Sequence, residues 1–257
     1  DRLAPSLVLV HFDMPFSVAG ITERNYHGTG VVVDAQRGLV AVDRNTVPVS
    51  AGDVRITVAG SLEVPARVAY VHPLHNLALV AYDPALLDGT PIRAASLDTR
   101  ELVPGEPVTV VGMNGDSRVR SIATTVASID DADFPLSRTL QFRESNLEVA
   151  NLVNGPTEFD GVIVGRDGRV RALWSSFAAE TGRDLVQVNR GMPIEFVAEM
   201  VEAQRSSQPL YSLEAEFAAV PIAEARKRGL DDAWVARLEA LTGAHRPVLG
   251  VSRVVAR

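Results

Sequence analysis

Histidines are the first candidates for chemistry in this chain, because imidazole is the usual general base and metal ligand near neutral pH. His72 and His75 stand three positions apart in the segment His72-Pro-Leu-His75, a spacing that could supply two metal ligands. No further ligand accompanies them, the chain contains no cysteine, and Pro73 favours a loop. The pattern therefore predicts a turn and no zinc site. His75, beside Asn76, stays the one histidine with a candidate chemical role.

Two further patterns could bind ions or phosphates. The cluster Asp130-Asp-Ala-Asp133 offers the oxygen ligands that calcium prefers, but we interpret it as a solvated loop between strands. Gly28-Thr-Gly30 could suggest a phosphate loop, yet it leads into a β-branched strand and not into a helix N-terminus. We expect these glycines to shape the entry to that strand. The residues predict no cofactor and no metal.

Composition excludes several classes of protein. The 257 residues are 46% hydrophobic and 22% charged, which is typical of a globular chain with a sizeable core. The formal net charge is −7 and no block of Lys and Arg is present, so a nucleic-acid partner is not expected. No apolar run approaches the roughly 20 residues of a membrane-spanning helix. Since Asp1 does not open a cationic and apolar leader, we expect any targeting peptide to be removed or not encoded here.

Short β-branched runs separated by turn residues fill most of the chain, which favours an all-β barrel or sandwich. Asp167-Gly168 is typical of a tight hairpin turn. The predicted strands are Gly30–Asp34, Gly38–Val42, Val54–Ala59, Ala66–Val71, Leu77–Tyr82, Pro107–Met113, Thr139–Phe142, Asn146–Val149, Gly161–Val164, Arg169–Trp174 and Leu185–Val188.

The pattern changes near the C-terminus. Apolar residues at helical spacing after Pro193 predict a helix to Ala203 that closes the β region. Past the polar stretch Gln204–Pro209 the sequence indicates a separate domain, in which we expect Trp234 to pack in the core. Its predicted elements are a strand at Tyr211–Phe217, helices at Ile222–Arg228 and Asp231–Leu241, and a strand at Pro247–Val255.

Several segments together resemble the HtrA family of trypsin-like serine proteases, in one order over about residues 6 to 203. The resemblance is closest to the degenerate second protease module of duplicated plant and fungal HtrA-like proteases with PDZ domains. The segments that carry it are His27-Gly-Thr-Gly-Val-Val-Val-Asp34, Gly38-Leu-Val-Ala-Val-Asp-Arg-Asn-Thr-Val47, Ala66–Val80, Leu102–Gly112, Gly161–Ala172 and Gly191-Met-Pro-Ile194.

The resemblance implies a chymotrypsin-like double β-barrel with a closing helix, followed by a partial PDZ-like α+β segment. The expected boundaries are residues 1–100 for the first barrel, 101–205 for the second barrel and closing helix, and 206–257 for the incomplete PDZ-like segment. The partners that it implies are polypeptides, neighbouring domains of the same protein, or further copies of the chain. A bacterial member is expected in the periplasm or cell envelope; otherwise the compartment is unknown.

A protease of this family needs a His as general base and an Asp that orients it. The resemblance puts the His position at Asn45 and the Asp position at Asn76. A carboxamide has no basic nitrogen, so Asn45 could not accept a proton from a nucleophile near neutral pH. In a serine protease with its His intact, Asp to Asn at the second position alone costs about four orders of magnitude in rate. Both positions therefore predict a degenerate triad.

The nucleophile loop of the family reads Gly-Asn-Ser-Gly-Gly-Pro, whereas this chain has Asn154-Gly-Pro-Thr-Glu-Phe-Asp-Gly161. Counting back from Asp167-Gly168 places Phe159 at the nucleophile position, and anchoring on Gly155 places Thr157 there. Phe has no nucleophilic atom and Thr157 would lack an activating base. Pro156 also removes a backbone N–H near the expected oxyanion site.

Two functions follow from these positions. The first is a catalytically degenerate protease domain that acts as a scaffold, substrate-capture or regulatory module of a larger PDZ-containing protease. The alternative is an active serine-type endopeptidase, in the parent protein or through an unorthodox site that uses Thr157 or His75. In either case Trp174 and Phe177, on the strand after the hairpin, are the candidate ligand contacts because that strand forms one wall of the family's specificity pocket.

Overall fold

The computed structural model describes residues 2–16, 24–87, 89–132, 144–181, 184–242 and 248–254. The chain divides into two compact units, Asp1–Pro209 and Leu210–Arg257. The first unit contains two closed antiparallel barrels of six strands each, and the second contains a two-stranded sheet with two helices. The expected double β-barrel fold is confirmed.

The first barrel closes in the order β1-β2-β3-β6-β5-β4, with hydrogen-bonded neighbours antiparallel. Its strands are β1 Leu7–Asp13, β2 Asn25–Asp34, β3 Leu39–Val42, β4 Asp53–Val58, β5 Leu62–Val71 and β6 Ala78–Tyr82. The neighbouring strands β3 and β6 carry the two turns that matter for the site, because β3 ends just before Asn45 and β6 begins just after Asn76.

The second barrel repeats this winding as β7-β8-β9-β12-β11-β10. Its strands are β7 Pro107–Met113, β8 Val119–Asp131, β9 Glu148–Leu152, β10 Asp160–Val164, β11 Val170–Thr181 and β12 Asp184–Pro193. Asp167 and Gly168 turn the chain between β10 and β11, and Gly168 takes the positive φ of 81° that this tight turn requires.

Burial along the strands explains how the two barrels meet. In β4 buried and less buried residues alternate, as expected when one face of a strand looks into a barrel and the other toward solvent. In β1 both faces are buried: Val8 and Val10 fill the first barrel, while Leu7 and Leu9 belong to a larger cluster with residues of the second barrel such as Val162. The barrels therefore pack through an apolar interface, and a polar cleft lies at the edge of this interface.

Helix α1, Ile194–Ser206, ends the first unit and packs its apolar face onto the same interface through Ile194, Val197, Met200 and Val201. Arg205 in its last turn donates from Nε to Asp34 Oδ2 at 2.8 Å, which ties the helix to the end of β2. The second unit contains β13 Ala215–Val220, α2 Ile222–Lys227, α3 Asp232–Thr242 and β14 Val248–Val254. In the part of the chain that the structure describes, no helix combines the length and apolar character needed to cross a bilayer.

Several local predictions need correction. Asp130 and Asp131 end the long strand β8, so the acidic cluster is not a loop there, and Asp133 lies outside the described residues. The predicted strand Thr139–Phe142 also lies outside them. In the second unit the first strand begins at Ala215 and not at Tyr211. Trp234 is 52% exposed and stacks with Arg237, so it is not a core residue of the described unit.

Candidate functional site

A polar cleft of about 320 Å³ opens between the ends of the strands of the two barrels. It is bordered by the start of β2, the turn after β3, the end of β7, the loop before β10, and strands β11 and β12. The residues that line it are Asn25, Tyr26, His27, Gly28, Asn45, Thr46, Met113, Asn114, Gly115, Thr157, Glu158, Phe159, Asp160, Ser176, Gln187 and Asn189. Among these described residues His27 alone carries an imidazole, and none is Lys or Arg.

Asn45 and Asn76 meet at one backbone oxygen of the second barrel. Asn45 Nδ2 donates to the Ser176 carbonyl oxygen at 2.5 Å and to Ser176 Oγ at 3.0 Å. Asn76 Nδ2 donates to the same carbonyl oxygen at 2.7 Å, and its Oδ1 accepts the Arg44 backbone N–H at 2.8 Å. The two carboxamides therefore saturate both lone pairs of the Ser176 carbonyl and bind the barrels to each other.

Asp43 completes this set of contacts from the first barrel. Its Oδ2 accepts the backbone N–H of Ser176 at 2.9 Å and the Ser176 hydroxyl at 3.1 Å, while its Oδ1 accepts the Thr46 N–H at 2.8 Å. Ser176 thus has its N–H, its carbonyl and its hydroxyl all engaged by side chains of the first barrel. We call Asp43, Asn45, Asn76 and Ser176 the amide clasp.

The loop before β10 holds the two alternatives for the nucleophile position. Phe159 is 8% exposed and packs in the core of the second barrel with Trp174. Thr157 is exposed at the cleft, and its backbone N–H lies 3.3 Å from the Glu158 carboxylate. Trp174 Nε1 donates to the Pro156 carbonyl at 2.9 Å, which fixes the loop against the barrel.

The two aromatic residues considered as ligand contacts lie in the interior. Trp174 and Phe177 are each 3% exposed, and neither is among the residues that line the cleft. Trp174 belongs to the core of the second barrel, and Phe177 belongs to the cluster between the barrels. Their side chains support the cleft from beneath, so direct ligand contact through them would require the loop before β10 to move.

Thr29, in the middle of Gly28-Thr-Gly30, forms a second connection between the barrels. Its backbone N–H donates to Asp160 Oδ1 at 2.9 Å. Its hydroxyl lies 3.0 Å from the Asp160 carbonyl and 3.1 Å from the Met113 carbonyl, and it accepts the Met113 N–H at 2.9 Å. A side chain at Gly28 would overlap Thr46 Oγ1 and Asp160 Oδ2, so the glycine allows this approach. Both glycines therefore lie within β2: Gly28 acts at the barrel contact, whereas a side chain at Gly30 would overlap Val40 and Val10 inside the first barrel.

Asp43 and Asp160 are acidic groups in a place with little water. Burial raises the pKa of Asp43, and burial together with the Asp43 carboxyl raises the pKa of Asp160 to about 7. The hydrogen bonds that these carboxyls accept from Ser176, Thr46 and Thr29 act in the opposite direction. Near neutral pH the pair therefore holds less negative charge than two surface carboxylates would.

This raised pKa predicts a specific pH dependence of stability. An unfolded Asp titrates near about 3.9, so between pH 4 and 7 the folded chain binds more protons at Asp160 than the unfolded chain does. The stability contributed by the protonated group is complete below pH 4 and is lost as pH rises to 7. The pKa of half-buried His72, lowered by burial to about 4, has the opposite effect between pH 4 and 6.5, so the wild-type curve alone is partly flattened.

The variant Asp160→Asn separates the two effects, because Asn keeps an acceptor for the Thr29 N–H and does not titrate. We expect its free energy of unfolding, relative to wild type, to increase by up to about 1.4 kcal/mol per pH unit between pH 4 and 7. Urea unfolding at half-unit pH intervals measures this difference. Two parallel curves over that range would contradict the assignment.

His75 lies behind the clasp and not in the cleft. It is buried, with Nδ1 2.7 Å from Glu144 Oε1. The centroid of its ring lies 4.7 Å from that of the His72 ring and 4.5 Å from that of the Phe196 ring. The second Glu144 oxygen accepts the Asn76 backbone N–H at 2.8 Å. Burial raises the pKa of Glu144. The pair therefore positions Asn76 from behind.

The segment from His72 to His75 forms a turn. His72 Nδ1 accepts the backbone N–H groups of Leu74 and His75 at 3.2 and 2.9 Å, so that nitrogen carries no proton and is occupied. Among the residues whose placement is described, no three His, Cys, Asp or Glu side chains are grouped to hold a metal ion.

Five residues of the site were not singled out from sequence patterns: Thr29, Asp43, Glu144, Asp160 and Ser176. Asp43 left a signal, since it is a charge that directly follows the apolar strand β3. Asp160 left another in the register that places Phe159 at the nucleophile position, since the family loop then has glycine at position 160. Ser176 and Glu144 left no sequence signal. They lie 100 and 68 positions from Asn76 in the sequence and contact it only after the barrels have closed.

Chemically, the cleft offers hydrogen-bond donors and acceptors on fixed strands. The Ser176 hydroxyl in the cleft donates a hydrogen bond to Asp43 and accepts one from Asn45. Both carboxamides of the amide clasp lack a basic nitrogen. Two six-stranded antiparallel barrels of identical winding, packed side by side with a polar cleft and a closing helix, define a chymotrypsin-like double-barrel domain.

Solved structures agree with this fold. The HtrA-type protease AlgW, solved as a serine-to-alanine variant with a tripeptide, superimposes with a TM-score of 0.63 at 16% identity over 90% of this chain and 71% of its own. The protease domain of MamO from Magnetospirillum magneticum gives 0.56 at 19% identity over 77% and 96%. At these identities the likeness concerns the fold. No family model matches the chain.

Sequence relatives show to which group of double-barrel proteins the chain is related. The chain is 34% identical to the PDZ domain-containing protein C23G3.12c of Schizosaccharomyces pombe, 32% to the pro-apoptotic serine protease NMA111 of Chaetomium globosum, and 30% to Protease Do-like 7 of Arabidopsis thaliana. The matches cover 97%, 98% and 99% of this chain but only 26%, 25% and 26% of those proteins. The chain is an HtrA-type protease domain by fold and descent, and it spans about a quarter of the length of these relatives.

Proposed function

We propose that this chain is a non-catalytic HtrA-type domain that binds polypeptide and serves as a substrate-capture or regulatory module of a larger PDZ-containing protease. The observation that supports it best is the amide clasp. Asn45 and Asn76 hold the places where the family has its base and its orienting carboxylate, and both donate to the Ser176 carbonyl. A group committed as a donor to a carbonyl, and without a basic nitrogen, cannot take a proton from a nucleophile.

The remaining hydroxyls of the cleft do not replace the missing chemistry. In the described structure the Thr157 hydroxyl makes no hydrogen bond to His27, the one imidazole of the cleft, and His75 is paired with Glu144 behind Asn76. Ser176 is 5% exposed and lies in the middle of a strand, and its Oγ donates to Asp43. Neither hydroxyl has the base and third group that a catalytic serine or threonine needs.

The cleft does retain what a polypeptide site requires. It is a groove between rigid barrels, lined by carboxamides and hydroxyls that can bind main-chain N–H and carbonyl groups.

The second candidate is an active serine endopeptidase. It is favoured by the names of the relatives, two of which are called proteases, and it would place catalysis either in the rest of a longer protein or in an unorthodox site here. The first placement is compatible with the proposed role of this domain. The second is not, and the following experiment separates them.

We expect the purified 257-residue chain to show no labelling by a fluorophosphonate probe and no cleavage of casein at neutral pH. The physical reason is that neither the Ser176 nor the Thr157 hydroxyl is hydrogen-bonded to an imidazole in the described structure. Trypsin labelled in parallel is the positive control, and Ser176→Ala and Thr157→Ala identify the target if any label appears. Label or cleavage that disappears in Thr157→Ala, Ser176→Ala or His75→Ala would contradict the proposal.

A further inference from the structure

Asn189 is a buried polar side chain whose hydrogen-bonding groups are unused. It lies in β12 opposite Ser176 of β11, is 5% exposed, and lines the cleft. Within the described part of the chain its carboxamide makes no hydrogen bond; only its main-chain carbonyl does, to Arg190. Its amide atoms are not sealed from solvent. A buried carboxamide that opens only to a cleft is placed to bind whatever enters there.

A second carboxamide of the cleft has a free acceptor. Asn114 Oδ1, after the end of β7, is buried and has no hydrogen-bond partner among the described residues. Gln187, two positions before Asn189 on the same face of β12, is exposed at the cleft. Because Asn114 Oδ1 is sealed from solvent, the carboxamides that the described cleft presents without a hydrogen-bond partner are those of Asn189 and Gln187.

Charge contributes little to which ligand groups the cleft selects. No Lys or Arg lines the described cleft, so an anionic group would find no countercharge. Of the two carboxyls, Glu158 is exposed at the rim, whereas Asp160 is engaged by the Thr29 N–H and has a pKa raised to about 7 by burial. An ammonium or guanidinium group would therefore gain no fully charged partner in the interior. Hydrogen-bond complementarity is left as the basis of selection.

An apolar group in the cleft would exclude water from the Asn189 carboxamide without replacing the hydrogen bonds that water makes there. A carboxamide group supplies a donor and an acceptor together, and so pairs with Asn189 in the way that two amides pair. We propose that the cleft selects an extended polypeptide by an uncharged hydrogen-bonding side chain, Gln or Asn in particular, with Asn189 as the specificity-determining residue. This inference rests on the proposed polypeptide binding.

The test uses the whole chain and fluorescent peptides of one length that differ only at a central Gln, Val, Lys or Glu, with Kd measured by anisotropy. We expect the Gln peptide to bind about tenfold more tightly than the Val peptide, which corresponds to about 1.4 kcal/mol. Asn189→Leu, of similar volume, should remove this preference or reverse it toward Val. Asn189→Asp, which keeps the shape, should shift the preference toward Lys.

Gln208→Leu is the matched control, since Gln208 is an exposed carboxamide after α1 and does not line the cleft. It should keep the wild-type order of affinities. Thermal unfolding of each variant shows that the fold is retained, and Asn189→Asp keeps the test valid if Asn189→Leu does not fold. Binding by wild type without a preference for Gln, or an order unchanged in both Asn189 variants, would overturn the inference alone. Absence of binding by every peptide would overturn polypeptide binding by this cleft as well.

Discussion

Asn76→Asp is expected to lower the free energy of unfolding by about 3–5 kcal/mol at pH 7, the range seen when a buried charge is left without compensation. Asn76 is 2% exposed, and its Nδ2 donates to the Ser176 carbonyl. In the variant a carboxylate oxygen would face that carbonyl oxygen with no proton between them. The Glu144 carboxyl, bound to the Asn76 N–H, adds a like charge beside it. Urea unfolding followed by circular dichroism measures the change.

The same variant should recover stability as pH falls. Burial and the neighbouring carboxyl raise the pKa of the introduced group, so at low pH it is protonated and can donate to the Ser176 carbonyl. The loss is therefore smallest below the unfolded pKa and grows as pH rises. Asn25→Asp is the matched control, because Asn25 is an exposed carboxamide that donates to Asp13, and a surface change of this kind costs about 1 kcal/mol or less. Equal effects of the two variants would contradict the clasp.

This outcome bears on function because aspartate is the residue that the HtrA resemblance expects at position 76. In an active protease that carboxylate orients an imidazole. Here the neighbouring position is Asn45, which donates to the same carbonyl and offers no N–H to a carboxylate at position 76 in this arrangement. The catalytic residue would thus be a defect in this chain, as expected if the position now serves the contact between the barrels.

Thr29→Val is expected to destabilise the chain by about 2–6 kcal/mol, as two buried polar contacts of about 1–3 kcal/mol each are lost. Valine has nearly the volume of threonine, so the main change is the loss of a hydroxyl that serves Met113 and Asp160 of the second barrel. Thr29 is 6% exposed, and the Met113 N–H would be left buried without an acceptor. The measurement is again the free energy of unfolding in urea.

Thr29→Ser is the control for this variant, since it keeps the hydroxyl and removes one methyl group. We expect a cost of about 1 kcal/mol, as for removal of one buried methyl elsewhere in proteins. A Ser variant as unstable as the Val variant would mean that packing, and not the hydroxyl, holds the barrels together here. The comparison therefore tests the second connection between the barrels separately from the clasp.

Much of the fold could be predicted from the sequence because strand periodicity is a local property. The run at β4, Asp53–Val58, alternates buried and exposed residues and was placed to within a residue. The run at β1 could be seen as apolar, but that both of its faces are buried depends on the second barrel. Local patterns failed most in the second unit, where Tyr211 and Leu213 precede the strand and are exposed.

The candidate site was predictable only in part, and for a similar reason. The resemblance to HtrA segments picked out Asn45 and Asn76, and left Phe159 and Thr157 as alternatives for the third position. Trp174 and Phe177 were placed on the correct strand, β11, but the side of that strand to which they point depends on where the loop before β10 packs. That loop rests on the Trp174 indole, which therefore fills the interior below the cleft and does not line it.

The absence of a basic nitrogen at positions 45 and 76 was determined by the sequence itself, because a carboxamide does not titrate near neutral pH in any fold. The sequence itself likewise determined that the chain has no cysteine and no block of Lys and Arg. What those carboxamides do instead was decided only by the tertiary structure. Asn45 reaches Ser176 across 131 positions of sequence, and Thr29 reaches Asp160 across the same separation. Such pairs exist only after two barrels have closed and packed, since no local pattern encodes a hydrogen bond between distant strands.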